Sequence, residues 1–161
     1  MIIQKYKLKY DINKLNEELN ELWPLDRYQK LPDRFVIPDG SYHHPITKKT
    51  MPTHIKEAIE LSIGNTILNH AILWDWNSKD LRKHKDTYET FSEIPKEIAV
   101  ISLENTFTLN IWDDSNSKIL RVIESVTYGP GEIVVFNNID NIHSGKVLNK
   151  NISRRTLSCY V

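Results

Sequence analysis

The chain is predicted to be mainly β with flanking helices, a double-stranded β-helix (jelly-roll barrel) braced by N-terminal helices. Three observations carry this. Apolar residues at helical spacing are confined to roughly the first 65 positions. From Thr66 onward, about eight short β-branched and aromatic runs alternate with polar or Pro/Gly turns. The 161 residues show no internal repeat and fit one domain, so helices first and strands afterwards read as one layered α+β unit.

Taken in order, Asp11 to Leu22 places Ile12, Leu15, Leu19 and Leu22 on one helical stripe behind an aspartate cap, and Pro24 stops the helix. Residues 24–52 contain Pro24, Pro32, Pro38, Pro45 and Pro52, so they read as a long loop of the kind that forms lids or binding loops. Thr53 to Leu61 reads as a second helix, with Thr53 as its cap and Gly64 as its terminator. Helices and a Pro-rich loop thus fill 1–65, and the jelly-roll core fills 66–161. Strands are expected near 66–74, 79–84, 97–103, 106–112, 119–126, 131–136, 142–148 and 154–160. Gly129-Pro130-Gly131 makes the tight turn that feeds Glu132 to Phe136, because proline presets one dihedral and glycine accepts positive φ. The polar stretch Asn137 to Asn141 then breaks the strand, and His143 emerges where the chain re-enters the sheet.

Composition excludes several classes. Lys+Arg and Asp+Glu balance at 21 each, which gives no global electrostatic reason to expect nucleic acid or an anionic membrane as partner. The basic clusters Lys5-Lys7-Lys9 and Arg82-Lys83-Lys85 read as solvated faces. One cysteine, Cys159, rules out an intrachain disulfide framework, and its apolar strand suggests a small buried hydrophobe. The start of the chain has no continuous apolar export segment, and no run approaches the ~20 residues that span a bilayer. A reducing cytoplasm, which also keeps iron ferrous, is the expected compartment.

The chemistry-bearing pattern is His84-Lys85-Asp86, then His143 in Ile-His-Ser-Gly, then Arg154-Arg155-Thr156. Two imidazoles and a carboxylate on one face of a metal leave its other positions open. A His-x-Asp step alone arises readily by chance in a chain with 6 histidines, so the discrimination comes from the segment 128–158: a Pro-Gly turn, an apolar strand, a short loop, His-Ser-Gly, then the arginines. In the last strand, Arg154, Thr156 and Ser158 share one face, and Arg155, Leu157 and Cys159 share the other. One arginine therefore faces the site, with Arg154 the first choice and Arg155 the competing register.

In order and spacing these residues resemble the Fe(II)/2-oxoglutarate-dependent dioxygenases, whose pattern is His-x-Asp, a distal His, then Arg-x-Ser/Thr. The resemblance covers roughly residues 66–161 and implies the same jelly-roll fold. It further implies Fe(II) held by His84, Asp86 and His143, with 2-oxoglutarate as co-substrate and ascorbate in a supporting role. Arg154 would grip the far carboxylate of 2-oxoglutarate as a bidentate fork, with the Thr156 hydroxyl adding a hydrogen bond. Halogenating relatives lack the carboxylate that Asp86 supplies, so hydroxylation of a C–H bond or a related oxidation is the implied reaction.

Further site assignments are expectations from position. Asn110 and Thr108, opposite Leu109 and Ile111, are candidates to hold 2-oxoglutarate from a facing strand. His43 in the Tyr42-His43-His44 run of the Pro-rich loop, Tyr88 and Trp74 are candidates for substrate contact, and Trp76 and Trp112 are further aromatics nearby. Small size favours a small molecule such as an amino acid, or a peptide, as substrate. Two competing functions are a cupin-type metalloenzyme that does not use 2-oxoglutarate and a non-catalytic jelly-roll binding module. Cupins normally pair His-x-His with a following Glu, and the carboxylate of Asp86 counts against that reading.

Overall fold

A computed structural model describes residues 1–24, 35–36, 42–47, 50–64, 70–75, 80–86, 97–116 and 118–161. Their elements are β1 (Gln4–Lys7), α1 (Ile12–Leu22), β2 (Phe35–Val36), β3 (Tyr42–Ile46), α2 (Thr53–Ile63), β4 (His70–Asp75), β5 (Leu81–His84), β6 (Ile98–Glu104), β7 (Phe107–Asp113), β8 (Arg121–Tyr128), β9 (Glu132–Phe136), β10 (Ile142–Val147) and β11 (Arg155–Tyr160). A 7-stranded sheet in the order β1-β9-β6-β11-β4-β3-β2 faces a 4-stranded sheet in the order β5-β10-β7-β8. All pairings are antiparallel, giving the expected jelly roll with its helices.

The large sheet is buried on both faces, because alternate residues of its strands enter two different cores. Ala99, Ile101, Leu157 and Cys159 join a cluster with Leu15 and Leu19 of α1 and Ile55 and Ile59 of α2. Val100, Val134, Phe136 and Tyr160 join Phe107, Leu109 and Ile111 of the small sheet. β11 is accordingly buried at every position, as expected of a central strand covered on both sides. In the small sheet, β7 alternates buried with half-buried residues, its buried side facing the large sheet.

α1 forms as expected: Asp11 Oδ1 accepts the Lys14 amide at 2.9 Å, and Leu15 and Leu19 are buried. Leu22 departs from the stripe and is exposed, because the helix ends there and the buried Trp23 takes its place against the core. α2 begins differently from the expectation. Pro52 stands at the N-cap with no side-chain cap bond, and Thr53 is already helical, whereas Gly64 terminates the helix at φ 83° as anticipated.

The N-terminal third contributes more than helices and a loop. β1 is an edge strand of the large sheet, in register with β9, and its alternating lysines read as a charge run in the sequence because charges guard such edges. Within the stretch read as a Pro-rich loop, β3 pairs with β4 from Tyr42–Asp75 to Ile46–Ala71. Pro45 stands opposite Ile72 of β4 within that ladder, and β2 pairs with β3 at Tyr42 and His43. The remaining parts of the expected lid lie outside the described residues. No helix among those described is long and apolar enough to cross a membrane.

Candidate metal centre

His84 ends β5, Asp86 follows two residues later, and His143 is the second residue of β10. Because β5 and β10 are antiparallel neighbours with His84 directly opposite His143, the distant His143 joins His84 and Asp86 in one cluster. Their ligand atoms all lie within 4.8 Å of one another, and the two rings are 4.2 Å apart between centroids. Asp86 Oδ1 is 2.9 Å from His84 Nε2 and 3.8 Å from His143 Nε2, so both imidazoles present the same nitrogen to one carboxylate oxygen.

The other ring nitrogens explain that orientation. His84 Nδ1 donates to the Arg82 carbonyl at 2.7 Å and His143 Nδ1 to the Asn141 carbonyl at 3.1 Å, which leaves each Nε2 as the lone-pair donor. Phe136 packs edge-on against His143 with centroids 5.0 Å apart. Burial lowers the pKa of His143, and the neighbouring His84 charge adds to this, so both favour the neutral ring. Burial also disfavours the His84 cation, but the hydrogen bonds that the ring donates to Asp86 and to the Arg82 carbonyl outweigh it and hold its pKa above the ordinary imidazole value. For Asp86, burial is outweighed by His84, His143 and Asn138, and the carboxylate stays ionised. Two imidazoles whose Nδ1 bonds leave Nε2 toward the ion and one ionised carboxylate are a donor set that fits Fe(II).

Arg154 and Arg155 part company as period two requires. Arg155 lies under α1, where its Nη1 donates to Asn20 Oδ1. Arg154 enters the space between the sheets. Its guanidinium lies 4.1 Å from the Phe107 ring centroid, and a side-chain carbon built on Gly145 would stand 3.6 Å from its Nη1. Gly145 is two residues beyond His143 on β10, so Arg154 sits one inward-facing position, roughly 7 Å, deeper than the histidine. Burial weakens the guanidinium's hold on its proton, and the Tyr128 phenol opposes this as a hydrogen-bonding partner; burial among apolar neighbours in turn pushes that phenol's pKa up.

The other expected residues divide. Thr156 is buried in β11 on the Arg154 side, opposite Trp74 of β4, whose neighbours Ala71 and Leu73 face the helices. Trp74 is therefore half-buried toward the inter-sheet space. Asn110 is a correction. Leu109 and Ile111 turn inward, so Asn110 turns outward and accepts the Ser125 hydroxyl at 2.7 Å, while Thr108 meets Thr127 at 2.9 Å on the same outer face. Trp112 shares that face, with Lys83 stacked 3.9 Å above its ring and its Nε1 donating to Ser144. His43 pairs in register with Trp74, but its side chain lies outside the described residues, as do Tyr88 and Trp76. Sequence reasoning missed Tyr128 and Asn138. Each had a signal in its setting, one opening the turn segment and the other standing between a core strand and the ligand histidine.

No family model matches the sequence, and no curated protein matches it. Solved structures match in shape. The non-heme alpha ketoglutarate dependent carbocyclase SnoK from nogalamycin biosynthesis superposes over 98% of this chain and 78% of its own, at TM-score 0.72 and 9% identity. OsALKBH1 does so over 99% and 98%, at TM-score 0.68 and 9% identity. A Pseudomonas putida prolyl-4-hydroxylase does so over 99% and 91%, at TM-score 0.59 and 14% identity. The chain thus has the jelly-roll fold of non-heme alpha ketoglutarate dependent enzymes such as SnoK, with a His-x-Asp…His cluster set in its small sheet.

Proposed function

We propose that this chain is a non-heme Fe(II) and 2-oxoglutarate-dependent oxygenase acting on a C–H bond of a small, amino acid-like molecule or of a peptide. One observation carries the reading: His84, Asp86 and His143 converge on one point of the inter-sheet space, and a buried guanidinium lies deeper in the same space. The three converging residues would hold the metal. Arg154, with Tyr128 beside it and Thr156 on the same face, would hold the far carboxylate of the co-substrate. With O2 as the four-electron oxidant, iron and 2-oxoglutarate held there would supply oxidative decarboxylation to succinate and CO2, one oxygen atom entering succinate, coupled to two-electron oxidation of the substrate.

This chain's own share is positional. The Nδ1 bonds to Arg82 and Asn141 keep both imidazoles aimed with Nε2 toward the ion, and the ionised Asp86 completes a charge suited to a divalent ion. Phe107 and the Gly145 backbone flank the guanidinium, which excludes water from a charge-assisted carboxylate contact and strengthens it. Trp74, on the Thr156 side, supplies an aromatic wall for substrate.

The test is succinate release from purified protein supplied with Fe(II), ascorbate and 2-oxoglutarate, screened across amino acids and peptides. Turnover is expected even without substrate, slowly. His143→Ala should abolish it, and Arg154→Lys, which keeps charge but loses the fork, should raise the KM for 2-oxoglutarate roughly ten- to a hundred-fold. Succinate formation that persists in His143→Ala removes the cluster from the reaction. Metal binding without any effect of 2-oxoglutarate would instead favour a cupin-type enzyme.

A further inference from the structure

Asn138 is completely buried in the turn between β9 and β10, where a polar side chain needs a reason to be. It grips Asp86 twice. Its carbonyl accepts the Asp86 amide at 3.0 Å, and its Nδ2 donates to Asp86 Oδ2 at 2.5 Å. The oxygen engaged is the one that does not face the histidines, since His84 and His143 both approach Oδ1.

The turn itself is built by its neighbours. Asn137 Oδ1 accepts the amides of Ile139 and Asp140 at 3.0 and 2.9 Å, and Asn141 Nδ2 returns to the Asn137 carbonyl at 2.8 Å. The Asn141 carbonyl then accepts from His143 Nδ1. One five-residue turn therefore orients both the carboxylate and the distal imidazole, while Asp86 lies beyond the end of its own strand and has no ladder to hold it.

We infer that Asn138 is a positioning residue that holds Asp86 as a one-oxygen metal ligand, with Oδ1 presented to the ion and Oδ2 retained by the amide. A carboxylate pinned this way cannot swing both oxygens onto the metal, so it occupies one position and leaves the remainder for co-substrate and oxygen. The inference rests on the metal-site reading above and adds the residue that sets its coordination number.

Co(II) binding by the whole 161-residue chain tests it, followed by affinity and by the visible absorption of the bound ion, with thermal melting of the metal-free forms alongside. Asn138→Ala should weaken Co(II) binding about 10- to 100-fold and change the absorption at saturation as Oδ2 joins the metal. Asn138→Leu keeps roughly the volume and removes the donor without adding a charge, and serves if the alanine variant does not fold. In an Asp86→Ala background the substitution should have no further effect on affinity. Unchanged affinity and absorption in a folded Asn138 variant overturn the inference, as does a loss of the same size without Asp86. If the wild-type chain itself fails to bind Co(II), the metal-site reading falls instead.

Discussion

Asn105 shows how much one side chain decides here. It turns the chain between β6 and β7 at φ 71°, the left-handed region that costs an ordinary residue about 1–2 kcal/mol. Its side chain repays the conformation: Nδ2 donates to the carbonyls of Asn149 and Ile152, and Oδ1 accepts from the Thr106 amide at 2.8 Å. Those bonds fasten the loop that delivers Arg154 into the inter-sheet space. Asn105→Ala should destabilise the fold by about 2–4 kcal/mol, and Asn105→Gly by roughly 1 kcal/mol less, because glycine relieves the backbone but not the lost bonds. Urea unfolding of the two variants checks the order; equal losses would mean that the backbone conformation contributes nothing.

At the scale of elements, the two helices are joined to each other as well as to the sheet. His54 of α2 stands 2.5 Å from Glu18 Oε2 of α1, and the Tyr10 hydroxyl donates to Glu18 Oε1 at 2.6 Å. The hydrogen bond from Tyr10 is the larger cause holding the Glu18 carboxyl below its usual 4.5, His54 the next, and the same contact pushes the Tyr10 phenol up to about 12. A carboxyl whose folded value is depressed contributes stability above its unfolded value and loses it as pH falls through the folded one. Glu18→Gln should therefore lower the Tm at neutral pH, and the gap to wild type should close as pH falls below 4.5 and through the depressed folded value. A gap independent of pH would show that the contact does not depend on the charge of Glu18.

For the whole molecule, the question is how two sheets with free edges become a closed barrel. β1 borders the large sheet and β8 the small one. The amides of Ile2 and Ile3 both donate at 2.7 Å to a single oxygen of Glu124 on β8, and Ile3 is buried between the sheets. The start of the chain thus crosses from one sheet to the other and ties their edges. Glu124→Ala should cost about 1.5–3 kcal/mol and speed amide exchange in β1 more than in β11. Uniform acceleration across both strands would show that the tie acts on global stability alone.

Local chemistry made much of this legible from sequence. The β5–β11 strand runs, the Asp11 cap, the Gly64 terminator and the alternation that separates Arg154 from Arg155 follow from period and propensity, which depend on near neighbours. The identity of the cluster was legible too, since His84, Asp86 and His143 sit in a recognisable order. Tertiary structure decided what depends on partners distant along the chain. β1 and β3 are strands because β9 and β4 pair with them, against their own charges and Pro45. Asn110 faces outward because β7 turns Leu109 and Ile111 to the core. Asn138 and Tyr128 gain their roles only from Asp86 and Arg154, 52 residues away in the first case, because a hydrogen bond is set by geometry that no window of sequence contains.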